Sequence, residues 1–514
     1  MGSGIPNNRP VAVVGAGTMG AGIAQVAAAA GHPVFLFDSV DGAVDKALED
    51  MRLRMEKSVT KGRRTAEEAD AILDLIVGCG WLAECASAAL IIEAIIEDLE
   101  IKREVLSGVE ALASPDAIIA TNTSSLSVTA IASGLERPER VVGMHFFNPA
   151  PAMPLVEIVS GAATEPTVAD TAYATAMAWG KKPVRCASTP GFIVNRVARP
   201  FYGEGLRLAA EGVADPATLD ALMAESGGFR MGPFALMDLV GLDVNLAVSK
   251  SVFEQSFHDP RFAPNVLQQS LVDAGRLGRK TGRGFFDYGP NTPSPSPASM
   301  DHQPPPQVVA AHGDLGWATP LLDRLRNSDV DVDVAAGSAP GYLIVDGIHV
   351  VPTDGRSATD LVAQQAYPTD DLVVFDLVHD WATAVRIGVA VADQAKPGAA
   401  QQAAGLFQAG GLTVSEIADT AGMAVMRTVV QLVAVAADAV ALGVATPADI
   451  DLAMRLGTNY PSGPLEWADR LGATRVAVVL DNIRSAYGED RYRVPAMLRR
   501  RATTGGSLRE VANV

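Results

Sequence analysis

Residues 11–38 form the stretch VAVVGAGTMGAGIAQVAAAAGHPVFLFD. The apolar run Val11–Val14 predicts a short buried strand, and the glycine-rich turn after it opens an alanine-rich helix that ends at Gly31. Val34–Phe37 predicts a second strand with Asp38 at its end. A strand, a helix and a second strand in this order begin a parallel sheet that is covered by helices, so this stretch decides the fold class.

The glycine-rich turn has the spacing of a dinucleotide-binding loop. Gly15 permits a tight turn, Gly17 allows a pyrophosphate to approach the backbone, and Gly20 allows the helix to pack closely on the strand. Thr18 and Met19 complete the loop at the start of the helix. A lone G-x-G-x-x-G often marks only a turn, but strands and a helix at these positions make it a strong prediction of a dinucleotide site.

Asp38 predicts which dinucleotide binds. A carboxylate at the end of the second strand accepts hydrogen bonds from ribose hydroxyls and repels a 2′-phosphate. The next residues, Ser39–Asp41, supply no arginine that would bind such a phosphate. The predicted cofactor is therefore NAD rather than NADP.

Further strands alternate with helical segments and complete an α/β Rossmann-type doubly wound sheet. They are predicted at Leu90–Ile95, Ala117–Ala120, Val141–Met144 and Leu155–Val159. A charged amphipathic stretch from Asp45 to about Lys61 predicts a helical hairpin beside the sheet. Ligands bind outside the carboxyl ends of such strands, so the residues at those ends are expected to share one cleft. These residues are Asp38, Glu97, Ser124 and His145.

His145 and Glu157 are the predicted acid/base pair. A histidine can transfer a proton near neutral pH, and a neighbouring carboxylate can fix its tautomer and stabilise its charged form. Pro149, Pro151 and Pro154 exclude a continuous helix between the two residues, so the chain can turn back and bring Glu157 beside His145. For an isolated His and Glu a structural histidine is the better interpretation, but here the pair follows a nucleotide-binding loop.

Composition excludes several classes of function. A formal net charge of −18 argues against nucleic-acid binding and against binding to anionic membranes. Cys79, Cys85 and Cys186 lack the spacing of metal ligands, so we expect no metal site and reduced thiols in the cytoplasm. No apolar stretch approaches membrane-spanning length, and no apolar signal segment precedes the first strand.

The second part of the chain indicates a duplication. Helical patterns begin after the sheet, and a proline- and serine-rich linker follows them at Pro293–Pro306. The segment 422–472 then repeats 191–241 at a constant offset without gaps, with Gly-Pro at 232–233 and again at 463–464. The repeat has Met426 where the first copy has Asn195.

The segment between the two copies has strand-like runs at 342–345 and 372–375 but no glycine-rich loop, which predicts a degenerate α/β unit. The predicted domains are 1–187 (NAD-binding), 188–290 (first helical copy), 291–306 (linker), 307–412 (degenerate α/β) and 413–514 (second helical copy).

Several motifs in order resemble one family. Besides the glycine-rich loop and Asp38, they are EAIIE at 93–97, NTSSL at 122–126, HFFNP at 145–149, TPGFIVNR at 189–196, GPF at 232–234 and KTG at 280–282. Over residues 10–288 the chain resembles the 3-hydroxyacyl-CoA dehydrogenases, the L-specific two-domain enzymes of fatty acid β-oxidation. Its long architecture resembles members of the family that act on 3-hydroxybutyryl-CoA or 3-hydroxyadipyl-CoA in bacterial phenylacetate-type catabolism.

The resemblance implies a role for each matching residue. His145 would be the general acid/base and Glu157 its orienting carboxylate, while Ser124 and Asn195 would contact the reacting substrate. The alternative is a purely structural role: Ser124 could be a helix cap, and Asn195 could be a polar residue one turn into a helix. Expected cofactor contacts are Glu97, Lys102, Asn148 and Lys280, and Lys61 is expected to meet the coenzyme A phosphates. Lysines and glutamates at such places are more often simply solvated.

The predicted function is NAD-dependent oxidation of a (3S)-3-hydroxyacyl-CoA to the 3-ketoacyl-CoA, with an acyl-CoA as partner. One alternative is a sugar-acid dehydrogenase on the same scaffold, and the other is a non-catalytic NAD-sensing protein. In short members of the family the helical domains pair between two subunits, so the second copy predicts an intrachain pseudo-dimer. The sequence leaves open whether the whole chain is a monomer or a homodimer.

Overall fold

The computed structural model describes residues 3–293, 295–328, 330–335, 337 and 340–510. The chain begins with an eight-stranded sheet. Its strands are β1 (Val11–Val14), β2 (Val34–Phe37), β3 (Ile76–Cys79), β4 (Leu90–Glu93), β5 (Ile118–Thr121), β6 (Val141–Phe146), β7 (Leu155–Ser160) and β8 (Lys182–Ala187). The helices of this part are α1 (Thr18–Ala29), α2 (Ala43–Thr60), α3 (Ala66–Asp74), α4 (Leu99–Leu112), α5 (Val128–Ala132) and α6 (Pro166–Ala178).

The strand order is β3-β2-β1-β4-β5-β6-β7-β8, and every neighbouring pair is parallel except β6 and β7. β1, β4 and β5 are buried along their whole length, as expected of parallel strands covered on both faces. The predicted Rossmann-type doubly wound sheet is confirmed. The antiparallel β6–β7 pair is the place where the chain turns back after the prolines. The helical hairpin that was predicted from Asp45 to about Lys61 is longer in the structure. Helix α2 alone fills that stretch as the first arm, and α3 is the second arm.

A helical region follows the sheet. Its helices are α7 (Val194–Val197), α8 (Arg199–Ala210), α9 (Pro216–Ala221), α10 (Pro233–Val240), α11 (Leu242–Gln255) and α12 (Val266–Asp273), with a short 3-10 turn at Pro260–Phe262. Pro at the first helical position suits α9 and α10, since its missing N–H would have no partner there. The described part of the proline-rich segment is not free of contacts, because the N–H of Met300 donates to the carbonyl of Val414 at 2.8 Å.

A seven-stranded sheet occupies the middle of the chain. Its strands are β9 (Val308–His312), β10 (Asp331–Ala335), β11 (Tyr342–Val345), β12 (Ile348–Pro352), β13 (Leu372–Phe375), β14 (Arg386–Val391) and β15 (Thr413–Glu416), with helices α13 (Leu321–Arg326), α14 (Ala358–Ala363) and α15 (Ala399–Ala409). The order β12-β13-β14-β15 repeats β5-β6-β7-β8, including the antiparallel central pair. This confirms the degenerate α/β unit. Its last strand, β15, lies beyond the boundary predicted at 412.

The second helical copy comprises α16 (Val425–Ala441), α17 (Pro447–Thr458), α18 (Pro464–Leu471), α19 (Ala473–Tyr487) and α20 (Ala496–Thr504), with a 3-10 turn at Asp490–Tyr492. The chain forms two compact units, Met1–Val194 with Leu442–Thr458, and Asn195–Ala441 with Asn459–Val514. The first unit therefore contains α17, whose preceding loop accepts a hydrogen bond at Val444 O from Ala187 N of β8 at 2.8 Å. Among the described residues no helix is long and apolar enough to span a membrane.

Candidate active site

The glycine-rich loop has the conformation that a dinucleotide requires. Gly15 has φ +107°, and a Cβ there would lie 2.5 Å from the carbonyl oxygen of Ala94. A Cβ at Gly20 would lie 1.8 Å from the carbonyl oxygen of Gly15, so α1 packs too closely on the loop for any side chain. Gly17 instead faces open space and is exposed, as Thr18 is. The loop therefore leaves room for a pyrophosphate at the N-terminus of α1.

Asp38 follows β2 and holds the loop. One carboxylate oxygen accepts a hydrogen bond from Ala16 N at 2.7 Å, and the other accepts one from Val40 N at 2.9 Å. A carboxylate has about four acceptor positions, so two remain for ribose hydroxyls. Asp38 thus makes a structural contact that the sequence did not reveal, and its contact with the cofactor stays a prediction.

A cavity of about 650 Å³ lies at the carboxyl ends of β1, β2, β4 and β5. Its lining includes Gly15, Gly17, Thr18, Met19, Asp38, Glu97, Asn122 and Ser124. A smaller cavity of about 360 Å³ continues from the loop along α2 to Lys46, Asp50 and Arg54. The loop, Asp38, Glu97 and Ser124 therefore share one cleft, as their positions at strand ends predict.

His145 and Glu157 face each other across the antiparallel β6–β7 pair. They are register partners, and His145 Nδ1 lies 2.6 Å from Glu157 Oε2. Glu157 is fully buried and the His145 side chain is only 6 % exposed. The second carboxylate oxygen of Glu157 accepts hydrogen bonds from the backbone N–H groups of Ile193 (3.1 Å) and Val194 (2.9 Å). Glu157 therefore fixes both the imidazole and the start of α7.

This contact also decides the tautomer of the neutral imidazole. An ionised carboxylate only accepts, so Nδ1 of His145 must carry the hydrogen and Nε2 must be the free acceptor. The ring packs on Phe147 and Phe192, with centroid distances of 4.5 and 5.8 Å. These contacts and the carboxylate hold the ring in one orientation. A fixed neutral imidazole of this kind is suited to accept a proton from a bound alcohol.

Glu97 organises the turn that carries Ser124. One carboxylate oxygen accepts hydrogen bonds from Thr123 Oγ1 (2.7 Å), Ser124 N (2.8 Å) and Ser125 N (2.8 Å). Burial opposes the ionisation of Glu97, but Lys102 and these hydrogen bonds outweigh it and lower the pKa of Glu97 below its usual value. Glu97 is therefore a carboxylate that fixes the backbone of 123–125 and lines the cleft at the same time.

Lys102 is placed differently from a lysine that would meet a ligand from solvent. Its side chain is 1 % exposed, and its ammonium donates to Glu93 Oε1 at 2.6 Å and lies 3.3 Å from Glu97 Oε2. Thr121 Oγ1 donates to the other oxygen of Glu93 at 2.7 Å. Glu93 was not among the predicted site residues, although a glutamate at the end of the apolar strand β4 was a signal. This buried network ties α4 to β4 and β5 beneath the cleft.

The remaining predicted residues lie as follows. Asn148 and Lys61 are exposed in the first unit, and Lys61 directly follows α2. Asn195 lies in α7 and begins the second unit, where its carbonyl accepts a hydrogen bond from Arg199 Nε at 2.7 Å. Lys280 is exposed in the second unit and lies 2.6 Å from a carboxylate oxygen of Asp243. Of the predicted set, the structure therefore brings together the loop, Asp38, Glu97 and Ser124, and separately the pair His145 and Glu157.

The second half has counterpart positions of His145 and Glu157 that carry other residues. At the offset of the repeat, Asp376 stands for His145 and Gly388 for Glu157, and Asp376 follows β13 as a register neighbour of Gly388. The Asp376 carboxylate accepts four backbone N–H groups, those of Leu377, Ala424, Val425 and Met426. Burial still raises the pKa of Asp376 to about 6 against these hydrogen bonds. The contact that anchors the first helix is retained, whereas the histidine is absent.

The described residues contain no group of three or more His, Cys, Asp or Glu side chains that could hold a metal ion.

Comparison with known families agrees with this geometry. The model described as "3-hydroxyacyl-CoA dehydrogenase, NAD binding domain" matches residues 10–189. The model of the C-terminal domain of the same enzymes matches twice, at 191–288 and 422–510. Residues 350–420 match a "3-hydroxybutyryl-CoA dehydrogenase reduced Rossmann-fold domain".

Individual relatives divide into long and short chains. The chain is 41 % identical over 496 residues to a 3-hydroxyadipyl-CoA dehydrogenase of Escherichia coli, covering 96 % of this chain and 98 % of that one. It is 42 % identical over 278 residues to a 3-hydroxybutyryl-CoA dehydrogenase of Clostridioides difficile, covering 54 % of this chain and 99 % of the relative. A crystal structure of a 3-hydroxybutyryl-CoA dehydrogenase from Escherichia coli superposes with a TM-score of 0.88 at 40 % identity, covering 97 % and 99 % of the two chains.

Proposed function

Because the chain belongs to the 3-hydroxyacyl-CoA dehydrogenase family, we propose that it oxidises (3S)-3-hydroxyadipyl-CoA and 3-hydroxybutyryl-CoA to the 3-keto thioesters with His145 and Glu157 as its acid/base pair. The reaction class, an NAD-dependent 3-hydroxyacyl-CoA dehydrogenation, follows from the family. The observation that carries the roles of the residues is the 2.6 Å contact between His145 Nδ1 and the buried Glu157. Neither the sugar-acid dehydrogenase nor the NAD-sensing protein is supported by the relatives.

In the oxidising direction Nε2 of neutral His145 accepts the proton of the 3-hydroxyl group. The hydrogen on C3 leaves as a hydride, and bound NAD supplies the acceptor for it. The product is a 3-ketone, and the proton remains on the imidazole until it is released. Glu157 stabilises the imidazolium that forms and keeps the ring in position.

The family motifs imply substrate contacts for Ser124 and Asn195, and we propose these roles for them. Ser124 would donate to the substrate oxygen. The hydrogen bonds that its turn donates to Glu97 support this role because they hold the backbone at 123–125. Lys102 acts through Glu93 and Glu97 as a positioning residue in this proposal. Asn195, Asn148, Lys280 and Lys61 keep the contacts with substrate or cofactor that the family motifs imply. The exposure of Lys61 and Lys280 is consistent with binding a ligand from solvent.

The choice of substrate can be tested by NADH absorbance. The full-length match is to an enzyme named for 3-hydroxyadipyl-CoA, whereas the 3-hydroxybutyryl-CoA relative from Clostridioides difficile matches 54 % of the chain. We therefore expect kcat/KM for (3S)-3-hydroxyadipyl-CoA to equal or exceed that for 3-hydroxybutyryl-CoA and acetoacetyl-CoA reduction to proceed with NADH. The free hydroxy acids serve as controls and should not react. Turnover of a sugar acid without coenzyme A would contradict the proposal.

Asp38 is expected to determine the preference for NAD. Asp38→Ala removes acceptors for the ribose hydroxyls and the charge that repels a 2′-phosphate, so kcat/KM with NAD should fall about tenfold, the equivalent of roughly one hydrogen bond. Activity with NADP should fall less or rise. The measurement is the ratio of kcat/KM for NAD and NADP, with the exposed residue Asp41→Ala as the control. A wild-type preference for NADP would show that the role given to Asp38 is wrong.

We also propose that the two helical copies form an intrachain pseudo-dimer. A twofold interface is reciprocal, since residue i contacts residue j and j contacts i. Ala187 N donates to Val444 O at 2.8 Å, and at the offset of the repeat Ala418 N donates to Val213 O at 2.9 Å. These two hydrogen bonds support the proposal because each sheet receives a loop of the opposite helical copy.

Ion pairs within the second unit also connect each helical copy to the other in both directions. Arg207 of α8 binds Glu489 beside the second 3-10 turn at 2.9 Å, and Asp438, its counterpart on α16, binds Arg261 in the first 3-10 turn. Helix α8 packs on α16 between them. The second copy thus covers an apolar face that short relatives would cover with another subunit. The oligomeric state of the whole chain is independent of this arrangement.

The cytoplasm is the proposed location. Cys79, Cys85 and Cys186 are free and buried, which supports a reducing compartment.

A further inference from the structure

A third cavity, of about 570 Å³, lies entirely within the second unit. It opens where β12 ends, between the loops of the degenerate sheet and the start of α19. Its volume falls within the usual range of small-molecule sites. Nothing in the proposed dehydrogenase mechanism uses it.

The cavity corresponds in position to the catalytic cleft of the first half. Ser124 follows β5 in the first sheet and lines the dinucleotide cleft, whereas Thr353 and Asp354 follow the equivalent strand β12 and line this cavity. The ends of sheet strands are the usual ligand positions in α/β units. The acid/base pair, however, is replaced by Asp376 and Gly388, so the cavity cannot repeat the redox chemistry. The second half therefore has an open cleft at this position without a counterpart of His145 or Glu157.

The walls of the cavity are tied to each other. Asn482 Nδ2 of α19 donates to the carbonyl of Asp354 at 2.9 Å. Gly355 has φ +99°, and a Cβ there would lie 2.6 Å from the carbonyl oxygen of Val479, so only glycine allows this approach. On the other side Gly341 N donates to Asp314 O at 3.0 Å. Hydrogen bonds and one close backbone approach thus connect the segments that surround the cavity.

The charged side chains that line the cavity are Asp314, Asp354, Arg356 and Arg475. Asp354 binds Arg356 through both oxygens, and Asp314 accepts a hydrogen bond from Gly316 N at 2.7 Å. Within the described part of the chain no carboxylate forms an ion pair with Arg475, which is half-buried and lines the cavity. Its guanidinium lies against Gly316, where a Cβ would be 2.3 Å from Nη2.

The stability of the helix does not explain this arginine. Arg475 lies in the first turn of α19, where the helix dipole disfavours a cation. The equivalent residue of the first copy is Val244, so the repeated fold does not require an arginine at this position. A guanidinium without a carboxylate partner is well suited to bind the carboxylate of a ligand.

The remaining lining is largely apolar and aromatic. It includes Leu315, Trp317, Tyr367, Leu471, Val478 and Val479. We propose that this cavity binds a small organic carboxylate with an aryl or alkyl body, with the carboxylate on Arg475 and the body between the aromatic and aliphatic walls. Such a ligand pairs the free charge and removes apolar surface from water at the same time.

The proposal can be tested with 4-fluorobenzoate as the probe, titrated into the full-length protein and observed by fluorine NMR. A ligand of this size gives a dissociation constant on the order of 1 mM. Arg475→Gln should weaken binding about tenfold because it removes the charge-assisted hydrogen bonds. Val478→Trp fills the cavity from a half-exposed position and should weaken binding to a similar extent.

Arg484→Gln is the matched control, because Arg484 lies on the same helix outside the cavity and pairs with Asp490. Its binding should equal that of the wild type, and the neutral 4-fluorobenzyl alcohol should bind more weakly than the acid. Saturating NAD should not displace the probe. The proposal is overturned if the wild type shows no saturable binding, if NAD displaces the probe, if the alcohol binds as well as the acid, or if Arg475→Gln leaves the affinity unchanged. Thermal unfolding confirms that each variant is folded, and Arg475→Gln decides the question if Val478→Trp is not.

Discussion

Replacing His145 by glutamine is expected to lower kcat by a factor of about 10²–10⁴, the usual contribution of a general acid/base group. The glutamine side chain has a similar length, but its amide cannot accept the hydroxyl proton that Nε2 of His145 accepts. The binding of NADH should be unchanged, because the glycine-rich loop and Asp38 are intact. The measurements are the rate of NADH formation with a 3-hydroxyacyl-CoA and a fluorescence titration with NADH.

His302→Gln, at an exposed histidine in the proline-rich segment, is the control and should retain full activity. Glu157→Gln separates the two roles of the pair. It should lower kcat, since the imidazolium that forms during proton transfer is less stabilised without the carboxylate. A rate near that of the wild type in His145→Gln would contradict the mechanism.

Replacing Arg427 by methionine is expected to destabilise the protein by about 3–5 kcal/mol, as is typical when one partner of a buried ion pair is removed. The Arg427 side chain is fully buried, and its Nε donates to Glu204 at 2.7 Å while the two other nitrogens contact Glu211, Tyr487 and Tyr492. Methionine removes the nearer counter-charge of the buried Glu204 and leaves only Arg491, whose Nη1 lies 4.0 Å from Glu204 Oε1. The measurement is the free energy of unfolding of the variant and of the wild type in urea.

The control for this variant is Arg499→Met, which breaks an exposed pair with Asp481 and should change stability by less than about 1 kcal/mol. Adding Glu204→Gln to Arg427→Met should recover part of the loss, since the uncompensated charge is removed. If Arg427→Met unfolds at the same urea concentration as the wild type, the contact between α8 and α16 does not stabilise the pseudo-dimer as proposed.

Local sequence rules were sufficient for the first half of the fold. The glycine-rich loop, β1, β2 and Asp38 occur as predicted because each depends on neighbours in the chain. The pair of His145 and Glu157 was also predictable, since three prolines between them force the chain to turn. The sequence could not show that the second oxygen of Glu157 binds Ile193 and Val194, because that contact depends on how distant segments pack.

Some residues differ from their predicted roles because the side chains are buried in contacts that the sequence does not show. Lys102 has the position of a cofactor contact, but its ammonium is held between Glu93 and Glu97, which only the packing of α4 on β4 determines. The repeat was detected from glycines and prolines at turns. Its extension to Asp376 and Gly388 was not detected, because strands retain an apolar pattern and not identical residues.

The assignment of domains from the sequence also could not foresee an exchange between the halves. The loop at Val444 belongs to the second helical copy by sequence, yet it is hydrogen-bonded to Ala187 of the first sheet. Domain boundaries drawn along the sequence cannot show this contact, because the segment that packs on an edge strand can come from any part of the chain.

The central claim is that the chain transfers a hydride from C3 of a 3-hydroxyacyl-CoA to the nicotinamide. The direct test uses 3-hydroxybutyryl-CoA that carries deuterium at C3, with NAD and the wild-type protein, and proton NMR of the NADH formed. The account predicts one deuterium at the nicotinamide C4 position for each ketone produced, and almost no NADH with His145→Gln over the same time. NADH without deuterium, or ketone formation without NADH, would contradict it.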